Sequence, residues 1–222
     1  ISRDMPRKKT TSSPSPGVPA GPFGRSILRR EGPGKLTGQA TYIDDIPLPP
    51  GGVHVRTVRS RISHGRIKAI RYGAGVDWSR IAIVDHRDLP GPNVVRLILD
   101  DMPALVQDVV RHREEAILLL ASEDKELLER AVRAVEIDYE EWPAAHTIAE
   151  SRAKKALVSG TDNVFKKFHI RKGDAHAAMV TAATRVKGTY ATPAQEHVYI
   201  EPNGIMAEWD GRTLTVQGSM QC

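Results

Sequence analysis

The sequence predicts an α+β fold, and three observations carry that prediction. Several short stretches alternate apolar and polar residues with the period of a half-buried strand. One segment places apolar residues at helical spacing. That segment sits directly between two strand-like stretches, so a helix is expected to pack on one side of a mixed sheet. The chain has 222 residues, of which 40% are hydrophobic. That is room for one or two domains with real cores.

Residues 1–31 come first and are expected to stay outside the fold. They are rich in Pro, Ser, Gly and basic residues, and little of this can bury apolar surface. The chain opens with Ile, and Met5 is a candidate natural start. His54–Ser60 alternates valine and threonine with polar residues and reads as a half-buried strand. Arg66–Tyr72 repeats the alternation, with Ile67, Ala69 and Arg71 on one side. Arg80–Val84 is a third strand, and Pro90-Gly91-Pro92-Asn93 marks a loop. Ala116–Ala121 is a continuous apolar run of strand length.

The clearest helix follows. Ser122 is its expected N-cap, with Glu123 and Asp124 in the first turn, where carboxylates suit the helix dipole. Leu127, Leu128, Ala131, Val132 and Val135 then share one face. Glu136–Glu140 is the next strand, with its carboxylates on the exposed side, and Trp142-Pro143 ends it. Residues 144–172 read as a connector that ends in a basic stretch. Arg185–Tyr190 is expected to be a strand. Gly204–Glu208 and Thr213–Gln217 flank Asp210-Gly211, a strong hairpin signal.

Composition excludes several classes of function. No apolar run approaches the ~18 residues of a membrane span, and no secretory signal is visible. A cytoplasmic location is therefore expected. The single cysteine, Cys222, leaves no internal disulfide, thiolate-bound iron–sulfur cluster or multi-cysteine zinc site. The net charge of +5 resides in the tail. There Arg3, Arg7, Lys8, Lys9, Arg25, Arg29 and Arg30 face only Asp4 and Glu31, whereas the body is balanced. A neutral body with 5% aromatics is a poor platform for nucleic acid. The glycine-rich phosphate motifs and the H-E-x-x-H metal motif are absent, and the eight histidines do not cluster at ligand spacing. Asp44-Asp45, before Ile46-Pro47, reads as a turn whose side chains accept from backbone donors. One polar cluster remains: Gln195, Glu196, His197, Tyr199, Glu201 and Pro202. By spacing it is either the wall of a site or a strand-to-loop junction.

These residues and others, in order, resemble a known family. Gly34-Lys35, Thr37-Gly38-Gln39-Ala40, Tyr42 and Asp44-Asp45-Ile46-Pro47 resemble the opening of the molybdopterin-binding subunit of xanthine dehydrogenase and aldehyde oxidase-type enzymes. Arg59-Ser60 with His64, Arg66 and Ile67 is similar to the next landmark, as is Asp88-Leu89-Pro90-Gly91 with Asn93. Val110-Arg111 leads to Arg113-Glu114-Glu115 and Ala116, where the family has a Gly-Glu-Pro turn. Val135–Tyr139 and Glu141 resemble the strand that closes the first domain. Asp162-Asn163, Gly173-Asp174, Gly188-Thr189-Tyr190, Gln195-Glu196-His197 and Tyr199 through Glu201-Pro202 resemble the start of the molybdenum-binding region. Gly211 through Val216 and Ser219-Met220-Gln221-Cys222 continue it. No single motif is specific, but their order and spacing are.

The resemblance implies a basic tail at 1–31, an α/β-hammerhead domain at 32–145, a connector at 146–172 and an incomplete molybdopterin-binding domain at 173–222. It implies oxidative hydroxylation of an aldehyde, aromatic heterocycle or thioester, with water as the oxygen source. The chain would be a natural split subunit or a truncated one, without the family's glycine-rich pterin-contacting loop and glutamate base, and inactive alone. A molybdopterin-type molybdenum cofactor would be shared with a second molybdopterin-binding chain. Iron–sulfur clusters and FAD would sit on separate subunits. Gln221 is the implied cofactor-binding residue, with Gln195, Glu196, His197 and Glu201 near the cofactor pocket. No catalytic residue and no metal ligand is assigned to this chain. The competing reading is a non-enzymatic interaction module whose basic tail docks to an acidic partner or nucleic acid.

Overall fold

The computed structural model describes residues 26–96 and 100–220. They separate into two compact units, one from Leu48 to Glu196 and the other joining the residues up to Pro47 with those from His197 onward. The tail expected at 1–31 lies mostly outside the described residues.

The larger unit is built from six strands and one long helix. The strands are β1 (His54–Arg59), β2 (Gly65–Tyr72), β3 (Ala82–Val84), β4 (Val109–Val110), β5 (Ala116–Ser122) and β6 (Val135–Glu141), with α2 (Lys125–Ala134) between the last two; the short helix α1 (Gly32–Leu36) belongs to the other unit. The strands form two antiparallel sheets, ordered β1-β5-β3 and β4-β2-β6. This corrects the expected mixed sheet. The strands flanking α2 belong to different sheets, so the helix carries the chain from one sheet to the other.

β5 shows why the continuous apolar run is a strand. It is the middle strand of its sheet, and the adjacent residues Ile117 and Leu118, which point to opposite faces, are both buried. Leu127, Leu128 and Ala131 of α2 pack with Val58, Ile117, Leu118 and Leu120 in one core. Val135, expected on the helix face, is instead the first residue of β6 and is still buried. The N-cap is Asp124, not Ser122: its carboxylate accepts from the Leu127 amide at 2.9 Å. Ser122 Oγ accepts from the Asp124 amide at 3.2 Å, so it braces the cap from one step back. Capping by the helix amide holds the Asp124 carboxyl below its usual range.

β2 departs from strict alternation. The register slips between Ile67 and Ala69, so Ile67 and Ile70 reach the core and Ala69 is exposed. The expected face of Ile67, Ala69 and Arg71 is therefore corrected, because a bulge changes the parity of every later residue. On the outer face Arg71 pairs with Asp138 and Glu136, and Lys68 with Glu140. The acidic side chains of β6 thus face solvent and cross-strand cations. β3 begins at Ala82 because Trp78–Arg80 forms a 3-10 turn capped by Asp77.

The Arg59-Ser60 and Glu114-Glu115 segments hold each other. Ser60 donates its amide to Glu115 O at 2.9 Å, and Glu114 donates to Ser60 O at 3.0 Å. The Arg59 guanidinium donates to Glu114 O at 2.9 Å, and buried Glu115 accepts from the Arg111 amide at 2.7 Å. Glu114 lies at φ 68°, in the left-handed region where a side chain is strained. All its backbone contacts would survive in glycine. Glu114→Gly is therefore expected to stabilise this unit by about 0.5–1 kcal/mol, the relieved strain less the entropy of glycine. Urea unfolding midpoints of the two proteins check this; a lower midpoint for the variant would refute it.

The stretch read as a connector contains α3 (Ile148–Arg152), and α4 (Ala175–Thr181) follows it. Thr147 caps α3 by a reciprocal box with Glu150. The Lys155 ammonium and the His146 amide hold the Glu150 carboxyl at about 2. Asn163 organises the following loop. Its Oδ1 accepts from Val158 and Ser159, and its Nδ2 donates to Ser151 O and Ala156 O. Arg185–Tyr190, expected as a strand, is not one, because no neighbouring strand hydrogen-bonds to it among the described residues.

In the smaller unit β7 (Gly204–Trp209) and β8 (Leu214–Ser219) pair as the expected hairpin. Asp210 Oδ1 accepts from the Arg212 and Thr213 amides, and Gly211 turns the chain at φ 93°.

Candidate functional site

The polar cluster at 195–202 is strung along an open segment. Gln195, Glu196 and His197 are all exposed, and the two units divide between Glu196 and His197. Val198, next in line, has φ 53°, unusual for a β-branched residue.

The geometry fixes a role for Glu201. Its Oε1 accepts from the Ile43 amide at 3.0 Å, in a half-buried position. Ile43 opens the 3-10 turn Ile43–Asp45, and Asp45 Oδ2 accepts from the Tyr42 amide at 2.9 Å. Asp45 therefore serves a backbone donor, as the sequence reading expects of this turn. Gly204 packs directly on Ile43, where a Cβ would collide with its side chain. Ser219 Oγ donates to Pro202 O at 3.0 Å and accepts from the Gly204 amide at 3.1 Å. Glu201, Gly204 and Ser219 thus tie the turn, the loop entry and the end of β8 together. Gln221 itself lies outside the described residues.

Two clefts, of about 270 and 420 Å3, are lined by residues between 57 and 139 and between 145 and 164, with none from 195–201. Among the described residues no group of three or more His, Cys, Asp or Glu could hold a metal ion. No described helix is long and apolar enough to cross a membrane.

Sequence reasoning locates Glu201 but not its partner, because a contact across 158 residues leaves no local pattern. It misses Asn163 as a loop organiser, although Asn tolerates the left-handed φ of 59° found there. Gly173-Asp174 also gains a plain role: Gly173 turns at φ 68° and Asp174 caps α4 through the Ala177 amide.

Two antiparallel sheets joined by a helix, followed by an open edge around Glu201, define the class. Residues 37–143 match the aldehyde oxidase and xanthine dehydrogenase a/b hammerhead domain, and residues 158–222 match the molybdopterin cofactor-binding domain. The chain belongs to the xanthine dehydrogenase and aldehyde oxidase family, as a hammerhead domain with the start of a molybdopterin-binding domain.

Among its relatives is a probable xanthine dehydrogenase subunit of Bacillus subtilis (strain 168). It is 28% identical over 82% of this chain and 25% of that protein. The nicotinate dehydrogenase large molybdopterin subunit of Eubacterium barkeri is 29% identical, over 90% of this chain and 47% of that one. The fold is shared with quinoline 2-oxidoreductase from Pseudomonas putida 86, with a TM-score of 0.77 and 23% identity, over 89% of this chain and 27% of that one. The chain thus spans less than half the length of each of these relatives.

Proposed function

We propose that this chain supplies the hammerhead domain and the opening part of the cofactor domain of a molybdenum hydroxylase. The reaction is oxidative hydroxylation of an aldehyde, aromatic heterocycle or thioester, with water as the oxygen source. The bound molybdenum cofactor would supply the redox chemistry; this chain would contribute framework and one cofactor-facing amide. The domains run 32–145 and 173–222, with 146–172 between them.

One observation supports this most directly. Among the described residues none after Ala156 is buried, although this stretch holds most of the cofactor-domain match. Phe165, Phe168, Ile170, Tyr190, Ile200 and Trp209 are all exposed. So much apolar surface requires cover. The cover is the rest of the molybdopterin-binding domain, and iron–sulfur and FAD subunits would complete a cytoplasmic hetero-oligomer. The chain alone would be inactive. Metal and cofactor analysis of the natively purified complex tests this. Molybdenum, with partner polypeptides carrying iron–sulfur clusters and FAD, is expected; a complex without molybdenum would overturn the reading.

Within it, Gln221 is the cofactor-binding residue, and Gln195, Glu196, His197 and Glu201 stand near the cofactor pocket. Ser219, fastened to Pro202, fixes the strand end two residues before Gln221. A carboxamide donates through its NH2 without adding charge, and a pre-placed donor stabilises charge that develops during reaction. Gln221→Glu keeps the size and substitutes an anion. Turnover per molybdenum is expected to fall at least ~10-fold, about 1.4 kcal/mol of transition-state stabilisation, with the complex still assembled. Equal turnover at equal molybdenum content would remove Gln221 from the site.

A further inference from the structure

The chain has three asparagines, and one of them stands apart. Asn93 is clamped to Leu105: its Nδ2 donates to the Leu105 carbonyl at 2.7 Å, and its Oδ1 accepts from the Leu105 amide at 3.0 Å. Asn163 uses both ends of its carboxamide to organise its loop. Each is followed by a valine, whose branched side chain crowds the next backbone nitrogen. Asn203 is exposed, its carboxamide makes no hydrogen bond among the described residues, and Gly204 follows it. An Asn-Gly pair ordinarily marks a hairpin turn. Here Asp210-Gly211 makes the turn, and Asn203 lies in open chain at the entry to β7.

Asparagine is thermolabile because the next backbone nitrogen can attack its side-chain carbonyl carbon. A following residue without Cβ obstructs that approach least. At Asn203 a bond would form from the Gly204 nitrogen to Cγ, the Cγ–Nδ2 bond would break, and ammonia would leave with the former amide proton. Water then opens the succinimide ring at either carbonyl, which leaves aspartate or isoaspartate. Asp210-Gly211 offers the same glycine but a poor electrophile. The Thr213 and Arg212 amides hold the Asp210 carboxyl below its usual range, so it is ionised. One contact opposes attack at Asn203. The Gly204 amide, which must lose its proton to become the nucleophile, donates to Ser219 Oγ at 3.1 Å. The same hydroxyl donates to Pro202 O at 3.0 Å, so one serine holds the residues on both sides of Asn203. We propose that Asn203 is a site of spontaneous deamidation through a succinimide with Gly204, and that the Ser219 hydroxyl sets its rate. Either product places a carboxylate two positions from Glu201. Isoaspartate also lengthens the main chain between the two residues that Ser219 bridges, and so unfastens the loop entry from the end of β8.

Peptide mapping by mass spectrometry of the full chain, aged in warm and mildly alkaline buffer, tests the proposal. Labelling with isoaspartyl methyltransferase detects the rearranged product. Conversion is expected at Asn203 and not at Asn93 or Asn163. Ser219→Ala should speed it ~2–10-fold, the range that freeing one hydrogen-bonded group allows. Ser219→Thr keeps the hydroxyl and should age at the wild-type rate. In strong urea the wild type and Ser219→Ala should age equally, because the restraint exists only in the folded chain. Asn203 intact in both the wild type and Ser219→Ala, or Asn93 converting as fast, would overturn the site. Equal rates for the folded wild type and Ser219→Ala would overturn the role of Ser219. So would a difference that persists in urea, or a Ser219→Thr rate that matches Ser219→Ala.

Discussion

Leu128→Ala is expected to destabilise the larger unit by about 2–5 kcal/mol, the usual cost of deleting a buried leucine side chain and leaving its cavity. Leu128 is 0% exposed and belongs to the one core that α2 shares with both sheets. It packs in one core with Val58, Ile117, Leu118 and Leu120 of one sheet and Val135 of the other, so the site has little freedom to collapse. A small domain is stable by only ~5–15 kcal/mol, so the loss is a large share of the total. Urea unfolding followed by far-UV circular dichroism measures it. Val132→Ala, on the half-buried flank of the same helix, should cost clearly less. Equal costs, or a Leu128 effect below about 1 kcal/mol, would mean that α2 does not carry the core.

Gly65→Ala should be costly for a different reason. Gly65 is buried at the first pair of the β2–β6 ladder, opposite Glu141. An added Cβ would strike the Glu140 carbonyl oxygen, and would lie 2.7 Å from Ile62 Cδ1 and 3.1 Å from Glu141 Cα. The isoleucine tip can turn away, but the backbone of β6 cannot without parting from β2. The expected loss is about 1–3 kcal/mol, in the range of overpacked cores. It should be local as well. The Trp142 amide, which donates to His64 O at 3.0 Å just beyond this pair, should exchange faster with solvent. Gly91→Ala has open space at the Cβ position and should stay within about 0.5 kcal/mol. A Gly65 variant as stable as this control would show that the strands are not so closely apposed.

Sequence reading succeeds where the signal is local. The apolar face of α2, the run in β5 and the Asp210-Gly211 hairpin are all written within a dozen residues, and each is legible. It fails where a partner decides the outcome. Alternation puts Ala69 on the buried face because a bulge against Tyr139 and Asp138 cannot be seen from β2 alone. A single mixed sheet is expected because strand–helix–strand does not say which sheet the second strand joins. Arg185–Tyr190 carries strand chemistry, but a strand without a neighbour has nowhere to place its backbone hydrogen bonds. The candidate site divides in the same way. The polar cluster is visible as composition, and Glu201 within it, but the Ile43 amide that fixes Glu201 is not. The family resemblance adds what local reasoning cannot, because it reads the order of weak motifs along the whole chain. In the 113–115 segment, where the resemblance leads one to expect a Gly-Glu-Pro turn, Glu114 takes a left-handed backbone conformation of the kind glycine favours.

The bond from Ile43 to Glu201 also sets a schedule for synthesis. A ribosome adds roughly 5–20 residues per second. The Ile43 amide therefore emerges ~8–32 s before the carboxylate that will accept from it, since 158 positions separate them. During that interval everything between Leu48 and Glu196, a unit with its own buried core, can fold and settle. The earlier turn waits, its donors served by Asp45 and by water. The nascent protein thus closes from the middle outward, and the Ile43–Asp45 turn is among the last parts to be secured.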